Sequence, residues 1–176
     1  MVRRFLIRLG EFFIQYYNDS KRINSPSQEG AFYTLKSLGW QPKTCIDVEA
    51  YHGKWTHMFH SIFPDSKVLM IEGQKGKEPH LKNALSKSPN DISYEIALLG
   101  ATDDVEVDFI EMETGSSVFE EASSYDRTRT KRKLTKLDTL LERHPKFQEA
   151  NVIKLDTQGY ELEVLKGATL FLPIPR

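Results

Sequence analysis

The sequence predicts an α/β domain in which helices cover both faces of a parallel sheet. Two observations lead to this fold class. Short apolar segments alternate along the chain with segments whose apolar residues recur at helical spacing. Three of the apolar segments also end in an acidic residue: Asp47, Glu72 and Asp156. Because ligands of such sheets bind beyond the carboxyl ends of the strands, these acids mark the expected site.

Composition narrows the class of protein. The chain has 176 residues with 24 basic and 25 acidic side chains, and the net charge of −1 argues against a nonspecific nucleic-acid binder. A single cysteine, Cys45, excludes an internal disulfide framework and a cysteine-cluster metal site. The sequence contains no apolar stretch of membrane-spanning length. We therefore expect a soluble, cytoplasmic domain that binds no nucleic acid and has no transmembrane segment.

The first 43 residues are expected to form a helical segment before a main domain at 44–176. A first helix is predicted from five apolar residues at helical spacing: Phe5, Leu9, Phe12, Phe13 and Tyr16. We expect it to pack on its own domain, with weak peripheral membrane contact or a dimer contact as alternatives. A second helix is predicted to begin at the N-cap Ser25, with Pro26 and Gln28 in its first turn. Gly39 ends it.

The rest of the chain alternates between strands and helices. Strands are predicted at 44–48, 67–72, 92–98 and 151–156, and helices at 55–62, 78–88, 134–142 and 160–170. The alternation of Val105, Val107 and Phe109 with acids adds a half-exposed strand. Residues 115–133 are expected to form a mobile polar loop. Its basic residues are expected to be solvated, with an anion-attracting patch as the alternative: Arg127, Arg129, Lys131, Arg132 and Lys133.

The turn after the first strand and the acid after the second predict a nucleoside site. Residues 47–53 form this turn, and Gly53 permits a close backbone approach or a positive φ. Glu72 follows Gly53 by about twenty residues, which is the spacing of an acid that takes two ribose hydroxyls. Ordinary solvated acids at strand ends are the alternative.

The chemistry of the turn favours S-adenosylmethionine over NAD or ATP. The turn lacks the three glycines of a dinucleotide fingerprint, and no P-loop is present. Its two carboxylates, on Asp47 and Glu49, repel phosphate but suit a cationic ligand. A nicotinamide-dependent oxidoreductase is therefore disfavoured. Three nearby histidines are too weak a signal for a metal site, and we assign no metal ligand: His52, His57 and His60.

Six motifs follow one another in order between residues 44 and 168. They are CIDVEAYHGKW at 45–55, IEG at 71–73, GSSV at 115–118, KLDTLL at 136–141, KLDTQGYE at 154–161 and LKGA at 165–168. In this order they resemble the FkbM-type S-adenosylmethionine-dependent methyltransferases. The resemblance implies a Rossmann-like class I methyltransferase sheet with S-adenosylmethionine as cofactor. It also implies methylation of a hydroxyl on a small-molecule or glycan acceptor, such as a sugar, a glycolipid or a secondary metabolite.

The resemblance further implies roles for individual residues. Asp47 and Gly53, with Glu49, Ala50 and Tyr51 of the same turn, would surround the methionine half of the cofactor. Glu72 would hold the ribose hydroxyls. Ala97 and Leu98, at the end of the third strand, would border the adenine.

Asp156 is the implied catalytic residue. It would lie near the sulfonium and the acceptor, where a carboxylate can serve as general base or orient the acceptor hydroxyl. Its alternative role is an N-terminal cap for the helix that begins near Tyr160.

Two features depart from the family pattern. Glu49 stands where the family has glycine, so its side chain either pairs with the ammonium of the ligand or collides with the carboxylate. The chain also supplies fewer parallel strands than a class I sheet has, so C-terminal strands are expected to be missing. The strand at 152–155 would then be an exposed edge that favours self-association. A non-catalytic nucleoside-binding or interaction remnant is the alternative function.

Overall fold

The computed structural model describes residues 27–86, 91–111 and 128–170. The first predicted helix, the motif at 115–118 and the last six residues lie outside these ranges. In chain order the elements are α1 (Gln28–Ser37), β1 (Thr44–Val48), α2 (Lys54–Ile62), β2 (Lys67–Glu72), α3 (Glu78–Ser86), β3 (Ile92–Ile96), β4 (Leu98–Leu99), β5 (Glu106–Glu111), β6 (Thr128–Thr135), α4 (Leu137–Glu142), β7 (Val152–Lys154) and α5 (Glu161–Lys166). None of the helices within the described ranges has the length and apolar character needed to cross a membrane.

Four strands form a parallel sheet in the order β3-β2-β1-β7. Ile46 on β1 lies opposite Leu69 on β2 and Ile153 on β7. One residue further along, Asp47 lies opposite Lys154. All five residues of β1 are buried, as is typical of a strand covered on both faces.

Successive side chains of β1 and β2 point to opposite helix layers, because strand side chains alternate between the faces of a sheet. Cys45 and Val68 pack with residues of α1 and α2, including the fully buried Phe59. Ile46 and Leu69 pack on the other face with residues of α4 and α5. The predicted α/β fold, with a parallel sheet and helices on both faces, is therefore confirmed.

A second, three-stranded sheet replaces part of the loop predicted at 115–133. Its strand order is β4-β6-β5, and β6 pairs antiparallel with β5. Two acids of β5 lie opposite lysines of β6, Glu106 opposite Lys133 and Asp108 opposite Lys131, and Lys131 Nζ is 2.9 Å from Asp108 Oδ1. The prediction of a loop was wrong for residues 128–133, because they form a strand that pairs with β5. The prediction of solvated basic side chains is confirmed for Arg129, Lys131 and Lys133, which are exposed.

Several element boundaries also differ from the prediction, among them the last helix, which ends at Lys166 and not at Leu170. The N-cap of α1 is Ser27, not Ser25, and its Oγ accepts a 3.0 Å hydrogen bond from the Gly30 amide. The predicted strand at 92–98 is two strands, since Leu98 belongs to the smaller sheet. Helix α4 begins at Leu137, not Leu134. The distant Asp103 accepts hydrogen bonds near that start from the Lys136 amide and the Thr139 hydroxyl, both at 2.8 Å.

Gly167 allows the end of α5 to pack directly on the backbone of Gly100. A Cβ atom at position 167 would lie 2.1 Å from the Gly100 carbonyl oxygen. The carbonyl of Gly167 also accepts a 3.0 Å hydrogen bond from the Asp138 amide, which fixes the start of α4. The two helices and the smaller sheet therefore meet at a point that has no room for a side chain.

We expect Gly167→Ala to lower the free energy of unfolding by about 1–3 kcal/mol, because overpacking against backbone forces a local shift. Urea denaturation followed by circular dichroism measures the change. Gly76→Ala is the matched control, since a Cβ there would meet no atom within 4 Å. The control should change stability by less than about 0.5 kcal/mol. Equal losses in both variants would contradict the close packing at Gly167.

Candidate functional site

The carboxyl ends of β1, β2 and β7 meet at one edge of the parallel sheet, as the sequence predicts. A cleft of about 480 Å³ opens there, between the turn that follows β1 and the segment that follows β7. Its walls are Gln28, Glu49, Ala50, Tyr51, His52, Lys54, Trp55, Lys154, Leu155 and Asp156. Four of the predicted site residues thus line a common cleft, while Asp47 and Glu72 lie buried behind it.

A half-buried lysine connects the strands at this cleft. Lys154 Nζ lies 3.1 Å from Asp47 Oδ1, and its side chain is 15% exposed. The same ammonium donates hydrogen bonds to the carbonyls of Val48 (3.0 Å) and Glu49 (2.9 Å). The other oxygen of Asp47 accepts a 2.6 Å hydrogen bond from Thr56 in α2. Lys154 therefore joins β7, β1 and the turn after β1.

The Asp47 side chain has no exposed surface. It therefore supports the turn from inside the protein, through its ion pair with Lys154. Burial raises the pKa of Asp47, while the Lys154 ammonium and the Thr56 hydroxyl act in the opposite direction. Any contact between this residue and the methionine half of a ligand stays a prediction. The sequence analysis assigned no role to Lys154. The signal that could have found it is the lysine two residues before Asp156, on a strand expected beside β1.

The turn after β1 has an unusual backbone. The backbone φ angle is positive at Glu49 (57°), Tyr51 (54°) and Gly53 (71°). Residues other than glycine seldom adopt this left-handed conformation. The Ala50 amide donates a 3.1 Å hydrogen bond to the Ile71 carbonyl, which ties the turn to β2. Strained residues of this kind persist where surrounding contacts over-determine the backbone, and they cluster at functional sites.

Glu72, at the end of β2, is hydrogen-bonded to this turn. It is 1% exposed, so the alternative of a solvated strand-end acid is wrong for this residue. Its Oε2 accepts a 2.7 Å hydrogen bond from the Tyr51 amide, and its Oε1 accepts one of 2.8 Å from the Gln74 amide. Burial raises the pKa of Glu72, whereas these two amides lower it. The carboxylate thus faces the turn where a ribose was predicted.

An apolar wall stands beside Glu72. The Ala97 amide donates a 3.0 Å hydrogen bond to the Glu72 carbonyl, and both Ala97 and Leu98 are buried. Leu98 and Phe109 each come within about 3.2 Å of the point where a Cβ of Gly73 would lie. Phe109 was predicted only as a strand residue, and the fold brings its ring to this wall.

Aromatic and basic side chains stack on the outer side of the turn. The Tyr51 and His52 rings have centroids 3.8 Å apart, and His52 in turn lies 3.9 Å from His80. The Lys77 ammonium sits 4.4 Å from the centroid of the Tyr51 ring. His57 and His60 lie apart from this stack, on α2.

Asp156 is exposed at the edge of the cleft. Its Oδ1 accepts a 3.2 Å hydrogen bond from the Gln158 side chain. The amides of Thr157 and Gly159 instead donate to Glu161, at 3.0 and 3.2 Å. The alternative in which Asp156 caps the last helix is wrong, because the N-cap of α5 is Tyr160 and no side chain accepts a capping hydrogen bond there.

Comparison with known families decides the class of protein. The family model of the methyltransferase FkbM domain matches residues 47–176. The chain belongs to the FkbM methyltransferase family. The match begins at Asp47 and includes the turn after β1, Glu72, Lys154 and Asp156.

Other comparisons with this FkbM family member are remote. A solved structure from Staphylococcus aureus, provisionally assigned as a caffeoyl-CoA O-methyltransferase, is 14% identical with a TM-score of 0.35. The alignment covers 53% of this chain and 49% of that one, so the chain spans about half the length of this structure. No curated protein matches.

We expect Lys154→Met to destabilise the FkbM domain by about 3–5 kcal/mol, because it leaves the buried carboxylate of Asp47 without its cation. Urea denaturation at neutral pH measures the loss. Lys166→Met is the matched control, since the Lys166–Glu163 pair lies on the surface with a lysine 54% exposed. The control should cost less than about 1 kcal/mol. If both variants are equally stable, Lys154 is not the connection described above.

Proposed function

We propose that this FkbM family member is an S-adenosylmethionine-dependent O-methyltransferase. The observation that carries the proposal is the Glu72 carboxylate, which faces the strained turn at 49–53 across a 2.7 Å hydrogen bond. A carboxylate there is suited to two ribose hydroxyls. The apolar wall of Leu98 and Phe109 lies directly beside it and is suited to a flat base.

The residues around the turn fit a cationic nucleoside better than a phosphorylated one. Three carboxyl groups approach the turn, on Asp47, Glu49 and Glu72, and Lys154 is the basic group that contacts it from β7. This excess of acid disfavours a pyrophosphate. Bound S-adenosylmethionine would supply an electrophilic methyl group on a sulfonium.

The predicted site residues would each contact or support a different part of the cofactor. Glu72 would bind the ribose hydroxyls, and Ala97 and Leu98 would border the adenine. The turn from Glu49 to Gly53, with Ala50 and Tyr51, would surround the methionine half. Asp47 would act from below, through Lys154 and Thr56, by keeping this turn in place.

Asp156 would orient the acceptor hydroxyl or remove its proton. Its exposed position at the edge of the cleft is accessible to a small-molecule or glycan acceptor such as a sugar, a glycolipid or a secondary metabolite. Because methyl transfer needs a hydroxyl aligned with the methyl group, positioning contributes more than covalent catalysis. We place the reaction in the cytoplasm, since the single cysteine is buried and free, as is usual in a reducing compartment.

A non-catalytic remnant is the second candidate, and one observation favours it. The carboxyl group of Glu49 lies against Gly73 beside Glu72, where a ribose would have to enter. Self-association at the edge strand β7 stays a prediction for either function; among the described strands, β7 pairs with β1.

Calorimetric titration separates the two candidates. S-adenosylmethionine and S-adenosylhomocysteine should both bind the protein, and NAD, with its pyrophosphate, should not. Binding followed by methyl transfer to any hydroxyl acceptor supports the enzyme. A folded protein that binds neither compound rejects it.

We expect Glu72→Gln to weaken S-adenosylmethionine binding at least about tenfold, because a charged hydrogen bond contributes roughly 1.5–3 kcal/mol. Glutamine keeps an acceptor for one of the two backbone amides, and near-ultraviolet circular dichroism checks that the fold is retained. Glu163→Gln, on the exposed face of α5, is the control and should leave affinity unchanged. Unchanged affinity in Glu72→Gln would remove the ribose role.

We expect Asp156→Asn to lower turnover by a factor on the order of 10²–10⁴ on any acceptor that the wild type methylates. Its affinity for S-adenosylmethionine should stay within about twofold, because the substitution removes the negative charge and keeps the size of the side chain. Asp65→Asn, outside the cleft in the turn before β2, is the control. A parallel loss of affinity and turnover would indicate a binding residue instead.

A further inference from the structure

The backbone of Glu49 is fixed while its side chain has room to move. The Glu49 carbonyl accepts the 2.9 Å hydrogen bond from Lys154, and the next amide, of Ala50, is bonded to Ile71. The residue is half-buried and forms part of the cleft wall. Rotation about its side-chain bonds can therefore carry the carboxyl group between the interior and the cleft without disturbing the turn.

The carboxyl group of Glu49 points inward, over Gly73. Its Oε1 lies 3.3 Å from the point where a Cβ of Gly73 would be, and Leu98 and Phe109 lie 3.2 and 3.1 Å from the same point. The sequence analysis expected this side chain beside the methionine half of the ligand. It lies between Glu72 and the apolar wall, on the side where the ribose is proposed to bind.

Two carboxyl groups in contact at such a site hold one proton between them. Glu72 accepts hydrogen bonds from two backbone amides, which stabilise its ionised form. Glu49 has apolar neighbours, and burial together with the Glu72 carboxylate raises its pKa well above the usual range. The other charged groups that act on it are Lys154, which lowers this pKa, and Asp156, which raises it. The surroundings therefore favour the protonated form of Glu49 and the ionised form of Glu72.

We propose that Glu49 is a proton-carrying gate over the nucleoside half of the site, which turns out into the cleft when a ribose binds to Glu72. The inference rests on the proposed function and deepens it, because it names the residue that controls access to the ribose site. A glycine at this position would leave the same space open.

Opening the gate should release a proton, and this release can be measured. In the closed state Glu49 is protonated, and in the cleft its carboxyl returns toward the ordinary glutamate pKa of about 4.3 and ionises at neutral pH. Ligand binding then releases up to one proton. By linkage, affinity should rise with pH, by up to tenfold per pH unit while the closed state keeps its proton.

Calorimetry on the full chain tests the gate with three ligands, at pH values of about 6, 7 and 8. The ligands are S-adenosylmethionine, S-adenosylhomocysteine and adenosine, which lacks the amino-acid part and its ionisable groups. Each titration is repeated in two buffers with different ionisation enthalpies, so that released protons are counted directly. The variants are Glu49→Gln, which closes the space without a proton to release, and Glu49→Gly, which opens it. Glu163→Gln is the matched control.

The wild type and Glu163→Gln should release about one proton and bind more tightly as pH rises. Glu49→Gln should lose both effects, and Glu49→Gly should bind more tightly than the wild type at the lowest pH, with no proton released. Binding by wild type and Glu49→Gln with the same pH dependence would overturn the gate and leave the proposed function standing. Failure of every variant, including Glu49→Gly, to bind any of the ligands would reject both.

A ligand-free measurement tests the shared proton separately. A group whose pKa is raised in the folded state adds stability below its unfolded pKa, near 4.5 for Glu49, and loses it as pH rises through the folded pKa. The free energy of unfolding of the wild type should therefore fall across this window, and that of Glu49→Gln should fall less. Identical pH profiles for the two proteins would overturn the shared proton.

Discussion

The ammonium of Lys154 is the contact on which the rest of the site depends. It lies in the interior against Asp47, where a charge is tolerated only if it is paired and hydrogen-bonded. By also donating hydrogen bonds to the carbonyls of Val48 and Glu49, it fixes the start of the turn from the neighbouring strand. The left-handed residues that follow are strained, and they persist because this lysine and β2 hold the backbone from two sides.

The sequence predicted the parallel sheet well and the smaller sheet poorly, for a physical reason. Strands β1 and β2 are buried on both faces, so each is a nearly continuous apolar run that can be recognised alone. Strand β6 is basic and reads as a solvated loop until the acids of β5 are placed opposite it. That pairing joins two segments that are separate in the sequence, from Glu106–Lys133 to Glu111–Thr128, and no local pattern contains it. The start of α4 likewise depends on the distant Asp103.

For the site, strand ends could be predicted but side-chain directions could not. Acids at the ends of parallel strands must share an edge of the sheet, so the positions of Asp47, Glu72 and Asp156 followed from the pattern. Whether each faces the cleft depends on strand register and on backbone φ. Asp47 turns inward to Lys154, and Glu49, whose backbone is left-handed, turns toward Glu72. These outcomes arise from contacts between elements distant in sequence.

Because Cys45 is buried on the central strand β1, its reaction with a thiol reagent reports when that strand opens. This thiol has no exposed surface, and burial together with nearby Asp47 raises its pKa, so it stays neutral and unreactive in the folded chain. Because it is the single cysteine, an alkylating reagent can modify the chain at one position alone. Modification then requires β1 to separate from its neighbours, so the labelling rate gives the frequency with which the middle of the sheet opens. The rate at which Cys45 is labelled thus measures the opening of β1 without any substitution in the chain.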